Sequence, residues 1–224
     1  IGAPTDVGAS IRGASMGPDA LRVADIAGAL TRTGLQVHDL GNLGGPGNPW
    51  QPPVDGMRHL QEVLAWNEQV FETAYATLAA GHMPLLMGGD HCLAIGSVSA
   101  AARHCREQGK KLLVLWLDAH ADANTGSTSP TGNIHGMPVA CLCGLGPEVL
   151  VNLGAPGPAL QAEEIRQIGI RSVAMAVPGA PTPMAIGISG PTTHMSRDLI
   201  ARAVPALKNA TGVISEALIG AKEQ

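Results

Sequence analysis

The feature that most constrains this chain is an apolar run that ends in alternating acids and an imidazole, LLVLWLDAHADANT at 112–125. Such an uninterrupted apolar run is typical of a strand that is buried on both faces. After it, Asp118, His120 and Asp122 alternate with alanine, and side chains two residues apart in an extended chain share one face. Because grouped polar side chains at a buried strand end are costly unless a partner holds them, the stretch predicts a metal site.

The rest of the chain alternates strand, loop and helix. An apolar stretch predicts a strand at 35–43, and another predicts a strand before the GGDH at 88–91, with a helix after it. A helix follows the opening Gly-rich loop, with Pro18 in its first turn, and a long amphipathic helix is expected at 58–81. This order predicts a three-layer α/β fold with a mostly parallel sheet, in which functional groups gather at the carboxyl ends of strands.

Composition narrows the classes of function. The 224 residues are 45% hydrophobic and carry a net charge of -4, so no basic patch for nucleic acid or an anionic membrane is expected. No apolar run reaches the roughly 18 residues of a membrane span. The four cysteines form no CxxC pair, which favours reduced thiols in a cytoplasmic protein.

Two imidazoles and two carboxylates make up the predicted ligand set: His91, Asp118, His120 and Asp122. This thiolate-free set suits Mn(II) best, with Zn, Co, Ni or Fe(II) as substitutes. Asp90 is interpreted as a structural residue that bonds to loop amides. His135, in a polar loop rich in Ser, Thr and Asn, is either a proton shuttle beside the metal or an exposed loop histidine.

Three segments resemble the arginase family of manganese ureohydrolases. They are GGDH, LDAHADANTGSTSPTGNIHGMP and the opening IGAPTDVGASIRGASMGPDALR. The resemblance runs from Ile1 to about Val173 and implies two manganese ions bridged by hydroxide, which attacks the guanidinium carbon of L-arginine to give ornithine and urea.

The resemblance also implies roles for individual residues. The four residues of the predicted ligand set fall on the family's metal-ligand positions, and Asp122 is counted with His135 as a catalytic candidate. His135 falls on the position of the family's proton-shuttling histidine. Asn124, Ser129 and Thr131 fall on positions that contact the amino-acid end of arginine.

The resemblance ends near residue 173. The family's later SxDxDxxDP motif supplies two more aspartates to the metals, and no DxD pattern follows Asp122. Ala174 stands where an acid that holds the substrate amino group is expected. From 174 to 224 the chain resembles the end of the effector-binding domain of IclR-type transcription regulators, through AIGISGPT and a later PAL segment. We therefore expect an incomplete arginase-like domain at 1–173, truncated at its C-terminal strands, and a strand–helix tail at 174–224.

Several functions follow from these resemblances. The first is hydrolysis of L-arginine, impaired because carboxylate ligands are missing, with one manganese ion or none where the family holds two. A second is a catalytically inactive, metal-binding fusion or fragment with a regulator-like tail. A third is hydrolysis of another guanidino compound, as in agmatinase. A small-molecule effector-binding module ranks last, because the tail is too short to form a pocket alone. We also expect a homo-oligomer.

Overall fold

The structure is a computed structural model that describes residues 1–176, 185–191 and 197–220, with side chains described for 1–166, 201–202 and 204–213. It divides into two compact units. The first comprises 1–114 and 121–166, and the second comprises 115–120 and 167–224. Among the described residues, no helix is long and apolar enough to cross a membrane.

Helices dominate the first unit. They are α1 (Gly17–Val23), α2 (Ile26–Thr31), α3 (Leu60–Ala79), α4 (Ala94–Glu107), α5 (Pro138–Leu142) and α6 (Glu148–Val151). Short 3-10 turns at His91–Leu93 and Ile134–Gly136 precede α4 and α5. Two short strands, β1 (Gly2–Ala3) and β2 (Met87–Gly88), pair in parallel, with Gly2 opposite Met87.

The core of the first unit forms where α3 packs against α4. Val63 and Val70 of α3 and Ile95 of α4 are completely buried. Truncation of a buried isoleucine to alanine typically lowers the free energy of unfolding by about 2–5 kcal/mol. Buried Asn67 joins the two helices, because its Nδ2 donates to the Val63 carbonyl at 2.8 Å and its Oδ1 accepts from the Gly96 amide at 2.7 Å. This apolar layer supports the loops that follow β2 and precede α5.

Two local predictions need correction. Residues 35–43 form no strand: Leu35 and Leu40 are exposed, and only Asn42 makes an isolated parallel bridge to Gly2. The two-residue β1 offers hydrogen bonds at one position only, so the neighbouring segment cannot extend the sheet. The helix expected after the opening loop is divided into α1 and α2 at Asp25, which has a φ of 59° and caps α2 by accepting from the Gly28 amide.

The elements of the second unit are β3 (Val114–Asp118), β4 (Ile165–Ala176), β5 (Ala185–Pro191) and α7 (Arg197–Gly220). The first residue of β3 and the first two residues of β4 are counted with the first unit. The strands form one sheet in the order β3-β4-β5. β4 and β5 are antiparallel, from Ile170 opposite Pro191 to Ala176 opposite Ala185. The residues between them are too few for the crossover that parallel pairing requires, so this hairpin departs from the mostly parallel expectation. Strands alternating with helices confirm the α/β class.

Candidate metal centre

Asp90 and His91 follow β2 and open the turn that leads into α4. The Asp90 carboxylate is buried and accepts from the Cys92 amide at 2.9 Å, while its own amide donates to the Thr5 carbonyl at 2.8 Å. A carboxylate is favoured here because the amino end of a helix carries partial positive charge. The structure thus agrees with the predicted structural role of Asp90, which holds the loop that presents His91.

Asp122 lies where the chain turns after the DAHAD segment. It adopts a φ of 48°, a left-handed conformation that aspartate tolerates better than most residues. Its carbonyl accepts from the amides of Val139, at 2.9 Å, and Ala140, at 3.4 Å, at the start of α5. The backbone of Asp122 is therefore anchored to the first unit, and this fixes the position of its side chain.

His91 and Asp122 meet at the centre of the candidate site. The His91 Nδ1 lies 3.0 Å from the Asp122 Oδ2, and the Asp122 side chain is only 7% exposed. That Oδ2 is buried and makes no hydrogen bond within the part of the chain that the structure describes. A buried carboxylate oxygen without a hydrogen bond is costly, and a cation bound there would offset the cost.

His91 and Asp122, both in the first unit, are the two predicted ligands that the structure brings together. An imidazole and a carboxylate belong to the intermediate-to-hard donor set that suits a divalent manganese ion. In the second unit, Asp118 ends β3, and the His120 Nδ1 lies 3.4 Å from the Asp118 Oδ1, with the His120 side chain 83% exposed. The roles of Asp118 and His120 as ligands stay predictions.

His135 lies next to this centre, in the turn before α5. Its amide donates to the Gly8 carbonyl at 3.3 Å, and its Nδ1 lies 3.8 Å from the buried Asp90 Oδ2. The interaction with Asp90 raises the pKa of His135 above its usual value, with a further contribution from Asp122, although partial burial opposes the rise. The imidazole is thus biased towards its protonated form, as a proton donor near the site requires.

The predicted substrate residues Asn124, Ser129 and Thr131 lie in the loop at 124–133, which bonds internally. The Ser129 Oγ accepts from the Gly132 amide at 3.0 Å, and the Thr131 Oγ1 accepts from the Asn133 amide at 3.2 Å. Each hydroxyl keeps a proton to donate, because these bonds use only its oxygen lone pairs. The Asn124 amide nitrogen of the main chain donates to the Gly136 carbonyl at 3.1 Å, which places Asn124 beside the His135 turn.

Arg58 is a functional candidate that the sequence interpretation missed. Its Nε donates to the Asn133 Oδ1 at 3.0 Å, its Nη2 to the Thr131 carbonyl at 3.4 Å, and its Nη1 to the Gln51 carbonyl. Its main-chain amide donates to the Gly132 carbonyl at 2.8 Å. Arg58 thereby holds three consecutive residues of the 124–133 loop. In the sequence, Arg58 is a single cation between a Gly/Pro-rich loop and a helix. A single residue shows no periodicity, so nothing in the sequence indicates its role.

The chain is similar to known proteins in both sequence and fold. The chain matches the arginase family over residues 1–200. The arginase of Brevibacillus brevis is 39% identical over 173 residues, which are 77% of this chain and 57% of that protein. The chain belongs to the arginase family.

Solved structures agree with this assignment. The arginase of Bacillus caldovelox is 36% identical with a TM-score of 0.69, over 75% of this chain and 55% of that one. The arginase of Entamoeba histolytica, solved in complex with L-ornithine, is 29% identical with a TM-score of 0.67, over 76% and 56% of the two chains. These likenesses confirm the predicted arginase-like fold. The chain spans about 57% of the length of the curated relatives that it matches.

Proposed function

We propose that the chain is an arginase-like ureohydrolase whose centre holds manganese through the predicted ligand set: His91, Asp118, His120 and Asp122. The observation that carries this proposal is the buried Asp122 Oδ2, which lies 3.0 Å from the His91 Nδ1 and makes no hydrogen bond within the described residues. Two electron-rich atoms held this close are stabilised by a shared cation. Manganese bound there would polarise a water molecule for attack on a guanidinium carbon.

His135 is proposed to supply the proton that the reaction requires. Hydrolysis of L-arginine breaks the bond between the guanidinium carbon and the side-chain nitrogen, and the ornithine amine must gain a proton as it leaves. The contact with Asp90 raises the pKa of His135, which favours the protonated imidazole that can donate. Asp122 is the second catalytic candidate, because it is a proposed ligand at the reacting centre.

The amino-acid end of the substrate is proposed to bind the loop at 124–133. Ser129 and Thr131 retain hydroxyl protons, and Asn124 carries an amide; together they offer neutral donors to a carboxylate. Neutral hydrogen-bond donors on a well-ordered loop are typical of small-molecule sites. The proposed ligand is therefore a guanidino amino acid, L-arginine.

We further propose that this chain holds fewer manganese ions than the two expected for the family. No DxD pattern follows Asp122 to supply the family's later aspartates, and this smaller set of carboxylates suits one ion better than two. Hydrolysis by this chain is then impaired. The proposal includes a domain boundary near residue 173 and a tail at 174–224 that resembles the end of the effector-binding domain of IclR-type regulators.

The proposed setting is a cytoplasmic homo-oligomer that binds neither nucleic acid nor membranes. A net charge of -4 supports the first exclusion. Leu115 and Leu117 on β3 and Leu113 just before it are 56–66% exposed, and exposed apolar side chains at every second residue favour association between copies.

Urea release from L-arginine tests the proposed activity. We expect the manganese-loaded chain to release urea, and Asp122→Asn to lower the rate by at least about a hundredfold, because it removes a charged ligand. Glu68→Gln, which makes the same change of charge on the exposed side of α3, should leave the rate unchanged.

Other outcomes separate the alternatives. Manganese binding without urea from any guanidino compound would mean a catalytically inactive, metal-binding chain. Hydrolysis of agmatine in preference to L-arginine would assign the chain to another guanidino substrate.

A further inference from the structure

An exposed guanidinium, that of Arg12, lies in a loop that contacts the proposed substrate loop at 124–133. Arg12 lies in the Gly-rich loop after β1, and its Cζ lies 4.8 Å from the centroid of the Trp50 ring. Within the described residues, no carboxylate pairs with Arg12. Arg22, Arg32 and Arg103 contrast with it, because each forms an ion pair with an acid.

The two loops that bring Arg12 and Trp50 together are firmly joined. The Asn48 Nδ2 donates to the carbonyls of Asp6, at 2.7 Å, and Ala9, at 3.1 Å, and the Asn48 Oδ1 accepts from the Trp50 amide at 2.9 Å. The buried His59 adds a second link, through a 2.8 Å contact of its Nδ1 with the Val7 carbonyl. Arg12 and Trp50 therefore lie in loops that are held in place by hydrogen bonds.

Both loops contact the segment that carries the proposed substrate residues. Ser10, two residues before Arg12, accepts from the Asn133 Nδ2 at 3.1 Å. Gln51, next to Trp50, accepts from the Arg58 guanidinium, which also donates to the Thr131 carbonyl. Arg12 follows Ser10 by two residues and Thr131 precedes Asn133 by two. Because two residues of extended chain span at most about 7 Å, both lie near the contact between Ser10 and Asn133.

We propose that Arg12, whose guanidinium lies over the Trp50 ring, is the residue that selects substrates with a carboxylate. A guanidinium stacked on an aromatic ring keeps its N–H edge free, and that edge matches the two oxygens of a carboxylate. Ser129 and Thr131 supply neutral donors, and Arg12 adds a positive charge complementary to the substrate carboxylate. L-Arginine carries this carboxylate, whereas agmatine is the same molecule without it. Arg12 therefore distinguishes a guanidino amino acid from a guanidino amine.

The inference rests on the proposed function for the identity of its ligands, and paired measurements separate the two. L-Arginine and agmatine are titrated calorimetrically into the manganese-loaded full chain, and urea is assayed in the same samples. Arg12→Met should weaken L-arginine binding about fivefold, because an ion pair at the protein surface contributes about that much to an affinity. It should leave agmatine binding unchanged. Arg12→Lys, which keeps the charge without the planar fork, should weaken it about twofold.

Arg32→Met is the matched control, because it removes an exposed arginine that is already paired with Asp25. It should change neither affinity. Selective loss of L-arginine affinity in Arg12→Met supports the inference even where the wild type releases no urea, a result that would overturn only the proposed function. Equal loss for both ligands, no loss, or no binding of either ligand to the wild type would overturn the inference.

Discussion

At the scale of single residues, the centre depends on two buried acids with different partners. Asp90 is satisfied by the Cys92 amide and by its contact with His135, so it acts as an anchor. Asp122 uses its backbone carbonyl to hold the start of α5 and leaves its Oδ2 without a hydrogen bond among the described residues. The structural acid therefore accepts a main-chain hydrogen bond, whereas the proposed ligand keeps a buried oxygen beside the His91 imidazole, where a cation could bind.

The raised pKa of His135 predicts a pH-dependent contribution to stability. A group whose pKa is higher in the folded protein stabilises the fold below its unfolded pKa, and this stabilisation is lost as pH rises through the folded pKa. In metal-free protein, His135→Gln should therefore have a lower free energy of unfolding than the wild type, and this deficit should be larger at pH 6 than at pH 9. Because the ring is 45% exposed, the difference should be below about 1 kcal/mol.

Urea denaturation of both proteins at the two pH values measures this deficit. His38→Gln, outside the site, controls for the general effect of replacing an imidazole. A deficit that grows from pH 6 to pH 9 would contradict the assigned contact between His135 and Asp90.

At the scale of elements, the loop at 124–133 is positioned by the turn that precedes α3. Arg58 reaches the Thr131 carbonyl, the Gly132 carbonyl and the Asn133 side chain. Gly132 has a φ of 70°, and a Cβ on it would lie 2.6 Å from the Pro53 Cβ, so a larger residue would be both strained and too close. The two segments therefore fit together only with this close backbone approach.

Arg58→Met should loosen this loop without unfolding the chain. It removes the guanidinium bonds but keeps the main-chain bond to Gly132, and hydrogen bonds from charged groups contribute about 1.5–3 kcal/mol each. Amides of peptides covering 124–133 should exchange with deuterium at least about tenfold faster, while those of α3 should not change. Arg103→Met, on the far end of α4, is the control. Unchanged exchange at 124–133 would show that Arg58 does not position the loop.

The sequence predicted the elements that periodicity defines. The helix expected at 58–81 is α3 at Leu60–Ala79, and the GGDH and DAHAD segments that were predicted to share a site bring His91 and Asp122 within 3.0 Å of each other. The strand expected at 35–43 was wrong, because apolar residues form a strand only where a neighbour offers a ladder of hydrogen bonds. Arg58 could not be predicted, since its partners are carbonyls of an irregular loop that carry no sequence signal.

At the scale of the whole molecule, the chain belongs to the arginase family and spans about 57% of the length of its curated relatives. Its first unit contains the packed helices, the turn that carries His91 and the loop that carries the proposed substrate residues. The central claim is therefore that this chain, as it stands, can bind manganese through its imidazole and carboxylate groups.

The most direct measurement is the manganese content of the purified full chain, by elemental analysis after metal loading and gel filtration. We predict one manganese ion per chain in the wild type and in Glu68→Gln, and at most a trace of manganese in Asp122→Asn. Wild-type protein that retains no manganese, or Asp122→Asn protein that retains as much as the wild type, would contradict the account.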